Sequence, residues 1–431
     1  MRKYNNLRIN FLDCLFEIFL EVFDILDAHA HADGAFETLQ EFRQQQGVAE
    51  MPRPMMAGAF AIPRSIMYII SGMTKKKKIM ITAIVLSILF ILGDAGVLFF
   101  GQAKFGRLPQ GERLERIKQS PHYDGKQFVN EVETPFTTGN KSKLAIWRDF
   151  MLGDKTLLAP DTALHVVKTD LKSLPQDRDW IVWFGHSSYL MNLSGKKVLV
   201  DPVFYKGAPV KFANKMFLGT DVYKPADMPD IDYLVISHDH WDHLDYEVVK
   251  EMEPRIKKVV TALGVGEHFE YWGYPAEKLL ELDWWESADL ADGFRVTATP
   301  ARHFSGRGLQ ENKTFWASYA FKSPKRNVWI GGDTGYGPHF AKIGKKFPDI
   351  DLAILENGQY NQDWANVHTL PEFLGKVVTD LDANRYLTVH HSKFCLSKHK
   401  YFEPLENAKR AAKESGKPVL MPQMGEVVYL E

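Results

Sequence analysis

The sequence is poor in cysteine, with only Cys14 and Cys395 in 431 residues. They lie far apart, and neither sits in a Cys-x-x-Cys or lipoprotein-like arrangement. That argues against a disulfide framework and leaves the compartment to be read from targeting signals. A charge surplus is missing too. Lys and Arg (53) balance Asp and Glu (54), giving a formal net charge of −1, so the basic face that a nucleic-acid partner needs is not expected. No internal repeat is visible, and residues 101–175 carry no motif of recognisable chemistry.

What is present begins with size. With 45% hydrophobic residues, the chain has room for one large domain with appendages or for two ordinary domains. Phe11 to Phe23 forms an apolar stretch broken by acidic residues, a candidate helix, and Met51-Pro52-Arg53-Pro54 has breaker chemistry. At Met73 the pattern becomes cleaner: Thr74 and the lysines Lys75 to Lys78 precede an apolar run from Ile79 to Phe100 whose only charge is Asp94. A basic segment followed by about 22 apolar residues has the length of a bilayer span. The expected arrangement is a signal anchor over 73–100, with its lysines inside and the bulk of the chain translocated. A cleaved signal peptide and a buried core helix are the alternatives. Residues 1–72 then read either as an uncertain extension ahead of a start at Met73 or as a cytoplasmic tail. Residues 101–175 read as a juxtamembrane linker and cap, with a short charged helix at 111–117, and residues 176–431 as the domain proper.

That domain opens with three short strands, Trp180–Phe184, Tyr189–Leu193 and Lys197–Val200, with a tight turn at Ser194-Gly195. Adjacent strands of this kind predict an antiparallel meander. The segment 203–233 interleaves Phe204, Tyr205, Phe212, Met216, Phe217 and Tyr223 with lysines. It reads either as a lining for an apolar substrate or as ordinary packing beneath a long loop. Beyond it, strands are expected at 233–236, 258–260, 295–299, 315–321, 327–330, 352–355, 385–389 and 427–430. Helices are expected at 246–253, 266–272, 371–382 and 403–415. The alternation places the domain in the α/β class.

The chemistry concentrates in one stretch, Ser237-His238-Asp239-His240-Trp241-Asp242-His243, which follows the apolar run Tyr233 to Ile236. Side chains two apart on extended backbone share a face, so His238 and His240 can grip one cation while Asp242 and His243, past the bend, turn toward a second. Imidazole with carboxylate suits zinc, and manganese or iron are also compatible with these ligand types. Further ligands belong where other strands end: His303 after Thr299, Asp333 between glycines after Ile330, and His390 after Val389.

The His-x-His-x-Asp-His motif resembles the signature of the metallo-β-lactamase superfamily. Gly185-His186-Ser187-Ser188, Asp201-Pro202, Leu244-Asp245, Thr299 to His303, Gly332 to Tyr336 and Val367 to Glu372 resemble most closely the branch that contains N-acylphosphatidylethanolamine-hydrolysing phospholipase D. The resemblance spans about Trp180 to Pro404. It implies an αβ/βα four-layer sandwich of two similar halves, here with an N-terminal transmembrane helix. It also implies two zinc ions: His238, His240 and His303 hold one, Asp242, His243 and His390 the other, and Asp333 bridges. His390-His391-Ser392 departs from the His-Trp-Gly of that branch, and Phe394 keeps its expected offset if His390 is the ligand. Glu356-Asn357-Gly358 departs as well.

The function implied is a zinc-dependent phosphodiesterase of phospholipase D type, cleaving N-acylphosphatidylethanolamine or a related phospholipid through a metal-bridging hydroxide. Asp333, Asp242 and His368 are the candidate catalytic residues, with His368 orienting substrate or shuttling a proton. Arg307 is a candidate bidentate phosphate ligand, and Asp201 and His186 are expected to fix ligand tautomers. The partners expected are a phospholipid or other small ester substrate and the membrane, without nucleic acid and with a homo-oligomer possible. A lactonase or other small-ester hydrolase of the same fold, and a non-catalytic metal-stabilised membrane protein, are the competing readings.

Overall fold

The computed structural model describes residues 73–139, 141–210 and 213–431. The helix expected at 11–23 and the aromatic Phe212 lie outside them. The chain divides into two compact units, Met1–Gln102 and Ala103–Glu431.

In the first unit, α1 (Lys75–Phe100) is capped by Thr74, whose side chain accepts from the Lys77 amide. Its 26 residues give about 39 Å of helix, and Ile79, Ile84, Ile88, Ile91 and Leu92 are exposed along it. By length and composition it suffices to cross a membrane.

The second unit holds α2 (Gly111–Lys118), α3 (Lys143–Leu152) and then two seven-stranded sheets. In chain order the strands of the first are β1 (Trp180–Trp183), β2 (Tyr189–Leu193), β3 (Lys196–Val200), β4 (Ile231–Ile236), β5 (Ile256–Ala262) and β6 (Leu279–Leu282). Helices α4 (Tyr246–Met252) and α5 (Gly266–Tyr271) fall between them. The second sheet contains β7 (Ser287–Asp289), β8 (Arg295–Thr299), β9 (Ser318–Lys322), β10 (Asn327–Ile330), β11 (Leu352–Glu356), β12 (Tyr386–Val389) and β13 (Val419–Leu420). It carries α6 (His339–Lys346), α7 (Leu374–Leu381) and α8 (Glu403–Ser415). The last strand, β14 (Val427–Tyr429), returns to the first sheet and pairs antiparallel with β1.

Local chemistry explains these choices. Ser194 and Gly195 both have positive φ, 47° and 81°, the backbone of a primed turn that lets β2 reverse directly into β3. Strands β1, β2 and β4 are buried almost throughout, which accounts for their continuous apolar runs. On β10 the alternation is visible: Val328 and Ile330 join the core shared by both sheets, while Trp329 faces the opposite way onto Phe340, Ile343, Leu374 and Val377. Val248, Val249, Met252 and Phe269 bring α4 and α5 into the large core. The result is helix, sheet, sheet, helix, the four-layer sandwich.

The stretch expected as a juxtamembrane linker and cap contributes buried side chains to the second unit. Ile117 of α2 is fully buried, and Arg113 bridges Glu267 and Glu281 at 2.5 and 2.7 Å. Phe128 stacks on Phe315 at 4.4 Å between ring centres.

Candidate metal centre

Strand β4 ends at Ile236, and the next residue turns the chain with help from a neighbour. The Asp201 carboxylate, just past the end of β3, accepts from the Ser237 amide at 2.8 Å and from its hydroxyl at 2.6 Å. The bend is completed by the amides of His243 and Leu244, which both donate to the His240 carbonyl. Asp245 then caps α4 by accepting from the Glu247 amide. The motif is thus one tight loop between a buried strand and a helix, and its ligand-type side chains are aimed by backbone geometry.

Three imidazole nitrogens meet first. His238 Nε2 lies 2.8 Å from His240 Nδ1, which is 3.2 Å from His303 Nε2. Nitrogens sharing one tetrahedral cation sit about 3.3 Å apart, given bonds of about 2.0 Å. Outer partners fix the protons. His238 Nδ1 donates to the Ser237 hydroxyl at 2.9 Å and His303 Nδ1 to the Val367 carbonyl at 2.8 Å, so each Nε2 lone pair faces inward. Burial, the largest influence on both, holds His238 and His303 well below the ordinary imidazole pKa and keeps them neutral.

A second group lies alongside. His243 Nδ1 donates to Asp201 at 2.8 Å, and His186 Nε2 donates to Asp242 at 2.8 Å. Among the described residues His243 Nε2 is buried without a hydrogen-bond partner, and it faces Asp333 Oδ2 at 3.1 Å and Asp242 Oδ2 at 3.5 Å. Burial opposes charge on His243, but Asp333, Asp242 and Asp201 outweigh it and raise its pKa well above the usual value. Such a pocket favours positive charge. His390 completes the group, with Nδ1 at 2.9 Å from the Ser187 hydroxyl and 3.1 Å from Asp333 Oδ1. Asp333 stands between the groups, its Oδ2 also 3.7 Å from His303 Nε2 and 3.9 Å from His238 Nε2.

The loops that deliver these groups are strained. Non-glycine residues with left-handed backbone include His186 (φ 52°), Asp201 (φ 40°), Gln359 (φ 56°) and His390 (φ 69°), a conformation that costs energy and clusters at functional sites. His186 and His390 are held there by neighbouring backbone: the His186 amide donates to the His391 carbonyl and the His390 amide to the His186 carbonyl. Gln359 braces the same loop, its side-chain amide donating to the carbonyls of His390 and Phe394.

The donors open onto a cavity of about 210 Å³. His240, Asp242, His303, Asp333 and His390 line it, and Phe136, Phe304, Trp364, Val367 and Leu396 supply apolar surface. His368 also lines it, and its Nδ1 lies 2.8 Å from the Glu356 carboxylate, whose other oxygen accepts from the Thr369 amide at 2.6 Å. Burial pushes Glu356 up to about 7. Burial also works against charge on His368, but the Glu356 carboxylate outweighs it and raises the histidine's pKa.

Residues 196–391 match the family described as "Beta-lactamase superfamily domain". An N-acyl-phosphatidylethanolamine-hydrolyzing phospholipase D 1 of Caenorhabditis elegans is 32% identical over 275 residues, covering 59% of this chain and 76% of that protein. The chain belongs to the metallo-β-lactamase superfamily. An uncharacterized protein of Mycobacterium tuberculosis is 35% identical over 318 residues, covering 72% of this chain and 85% of its own. A solved metallo hydrolase from Ignicoccus hospitalis is 20% identical with a TM-score of 0.45, covering 59% of this chain and 98% of its own. As a metallo-β-lactamase superfamily member, the protein is a metal-dependent hydrolase.

Within this superfamily fold, the seven residues read from the sequence as ligands come together, drawn from four separate strand ends. His390 rather than His391 enters the cluster. His391 turns away, its Nδ1 2.7 Å from the Ser392 hydroxyl and its ring 4.9 Å from that of Trp183.

Arg307 requires a correction. It does not line the cavity. Its buried guanidinium donates to the carbonyls of Asp239 and Leu244 at 2.9 and 2.6 Å and to the Lys104 carbonyl at 3.1 and 3.2 Å, and it lies 4.1 Å from the Trp241 ring centre. Those donors pin the motif loop from behind and are not free for phosphate. Phe204, Phe217 and Tyr223 are buried and absent from the cavity lining, so packing explains them. The sequence reading missed Phe136, Trp364 and Leu396 in the cavity wall, the ring brace Ser187, and Asn130, whose side-chain amide and oxygen pair with the His303 backbone. Ser187 alone sits inside a motif; Asn130 and Phe136 carry no sequence signal.

Proposed function

We propose that this protein is a membrane-tethered phosphodiesterase of phospholipase D type, acting on N-acylphosphatidylethanolamine or a related phospholipid with two zinc ions. His238, His240 and His303 would hold one ion, Asp242, His243 and His390 the other, with Asp333 shared. The observation that carries the reading is the cavity's mixed lining: the donors His240, Asp242, His303, Asp333 and His390 share it with the apolar side chains of Phe136, Phe304, Trp364 and Leu396. A phosphodiester whose ester groups are lipid needs both surfaces. The similarity to a phospholipase D of that substrate class supports the same choice.

When bound, the cations would lower the pKa of water between them and offset charge on the phosphoryl oxygens. The chain's own residues do the rest. Asp333 accepts a hydrogen bond from the attacking water and sets its line of approach. Asp242, anchored by His186, stays anionic on the other side of the attacking position. His368 faces the cavity and moves a proton at its Nε2. The apolar wall excludes bulk water and receives the hydrocarbon part of the substrate.

We also assign α1 as a signal anchor, with Lys75 to Lys78 on the cytoplasmic side and the hydrolase unit across the membrane. The full chain, purified in detergent and metal-quantified, is assayed against N-acylphosphatidylethanolamine, a panel of simpler phosphodiesters and a panel of lactones. Release of phosphatidic acid with about two zinc ions per chain is expected. Lactone opening without phosphodiester cleavage would overturn the assignment.

A further inference from the structure

Three neighbouring parallel strands end at the same rim of the second sheet. The segment after β10 delivers Asp333, β11 ends on Glu356, and His390 follows β12; the register pairs Glu356 with Val389, one residue before His390. Asp333 and His390 belong to the donor cluster. Glu356 falls with His368, Asp333 and His390 in a further group of ligand-type atoms within 4.8 Å of one another; its side chain is only 2% exposed, and such burial is costly without a dedicated partner. Both of its oxygens are committed, one to His368 Nδ1 at 2.8 Å and one to the Thr369 amide at 2.6 Å.

The partner is packed against two histidines of the site. The His368 ring sits 5.1 Å from that of His303 and 5.4 Å from that of His390, stacked on the latter at 20°. The next residue ties its loop to the Asp333 loop, with the Thr369 hydroxyl donating to the Thr334 carbonyl at 2.8 Å. Nδ1 is taken by Glu356, whereas Nε2 has no hydrogen bond among the described residues, on a side chain that lines the cavity with Asp333. A carboxylate gripping one imidazole nitrogen fixes the tautomer and aims the other.

We infer that Glu356 is a positioning residue for the reaction: accepting from Nδ1–H of the His368 imidazolium, it sets the ring plane so that Nε2–H delivers a proton to the departing alcohol. This rests on the phosphodiesterase reading. The water oxygen bonds to phosphorus, the P–O bond to the alcohol breaks, and its electron pair stays on the alcohol oxygen, which takes the proton from Nε2. The proton that the water gives up restores Nε2, so the cycle closes as phosphodiester plus water to phosphomonoester plus alcohol.

The test uses the full chain as wild type, Glu356→Gln, His368→Ala and the double variant, each metal-quantified. Two substrates are compared: N-acylphosphatidylethanolamine, whose alcohol must be protonated, and a p-nitrophenyl phosphodiester, whose leaving oxygen needs no proton. Glu356→Gln is expected to lower kcat on the lipid about 10- to 100-fold, within the range for lost proton transfer, with KM within about twofold. The p-nitrophenyl diester should lose less than about threefold, and the double variant should be no slower than His368→Ala, because the two residues act as one unit. Equal losses on both substrates, additive losses in the double variant, unchanged lipid turnover, or loss of metal from Glu356→Gln would each overturn the inference. A wild-type enzyme that cleaves neither diester overturns the phosphodiesterase reading beneath it, which is a different result from equal losses.

Discussion

The two sheets are built alike but deliver their chemistry differently. Each runs through three antiparallel pairings and then three parallel ones, β14 to β3 followed by β4 to β6 in the first, and β7 to β10 followed by β11 to β13 in the second. The first half supplies His238, His240, Asp242 and His243 from one loop after β4. The second sends His303, Asp333 and His390 singly from three different segments. Their support differs as well. His243 leans on a side-chain carboxylate, Asp201, whereas His303 leans on a main-chain carbonyl, Val367. A compact motif concentrates information in the sequence, while dispersed ligands place the burden on the fold to align three strand ends.

If the dispersed residues matter as much as the motif, Asp333→Ala should be as damaging as Asp242→Ala. The expected loss is at least about 1,000-fold in kcat, the scale of losing a group that acts on the reacting centre. Metal content is followed in parallel, and a variant that keeps more than a tenth of wild-type turnover would break the comparison. Asp201→Ala removes a prop from the first half alone. It should weaken metal affinity about 10- to 100-fold, measured by chelator competition, while His303→Ala, which removes a second-half donor outright, should be more severe.

Arg307 sits after β8 but holds the first half's loop through the carbonyls of Asp239 and Leu244. Arg307→Met should therefore cost about 2–4 kcal/mol of stability by leaving buried acceptors unpaired, read by denaturant unfolding, with KM for substrate nearly unchanged. A large rise in KM at full stability would restore a phosphate-binding role.

The smallest effect concerns acid. Burial, with Arg302 and Lys342 nearby, depresses His339 to about 3. Between about 3 and the unfolded value near 6.5, the unfolded chain binds more protons. Stability therefore rises with pH across that window and is lost as pH falls from 6.5 toward 3, by at most about 1.4 kcal/mol per pH unit. His339→Gln should flatten this slope in urea titrations between pH 4.5 and 7.5. An unchanged slope would show that His339 is not an acid-sensitive group.

Much of this architecture was legible in the residues. The meander of β1 to β3 follows from aromatic and β-branched runs around Ser194-Gly195, and α8 matches its expected span of Glu403–Ser415. Elements without a periodic apolar signal were not legible. Strand β7 is Ser-Ala-Asp and β13 only Val-Leu, paired by neighbours rather than by their own preference. Helix α6 follows Pro338 and contains Gly344, which conceals its amphipathic face. The expected strand at 315–321 begins at Ser318 instead, because Phe315 and Trp316 are core residues on a loop whose amides bond to Leu263 and Ser237 through Phe315 and Ala317. In the site, the motif loop was read directly because its spacing is local. Phe136 and Trp364 were invisible, since their relation to the cavity exists only after distant loops are folded onto it. Arg307 was misread because guanidinium chemistry in a sequence does not say whether its donors meet solvent or main chain.

The return of β14 to the first sheet has a consequence for how the molecule is made. Its residues are synthesised after the whole second sheet, yet they supply the hydrogen-bonding neighbour for β1, with Arg178 pairing Glu431 and lying over Tyr429 to lock the closure. Until then β1 offers an uncovered edge, the kind of surface on which chains adhere to one another. Shielding of that edge until β14 pairs with it would therefore limit adhesion between partly folded chains.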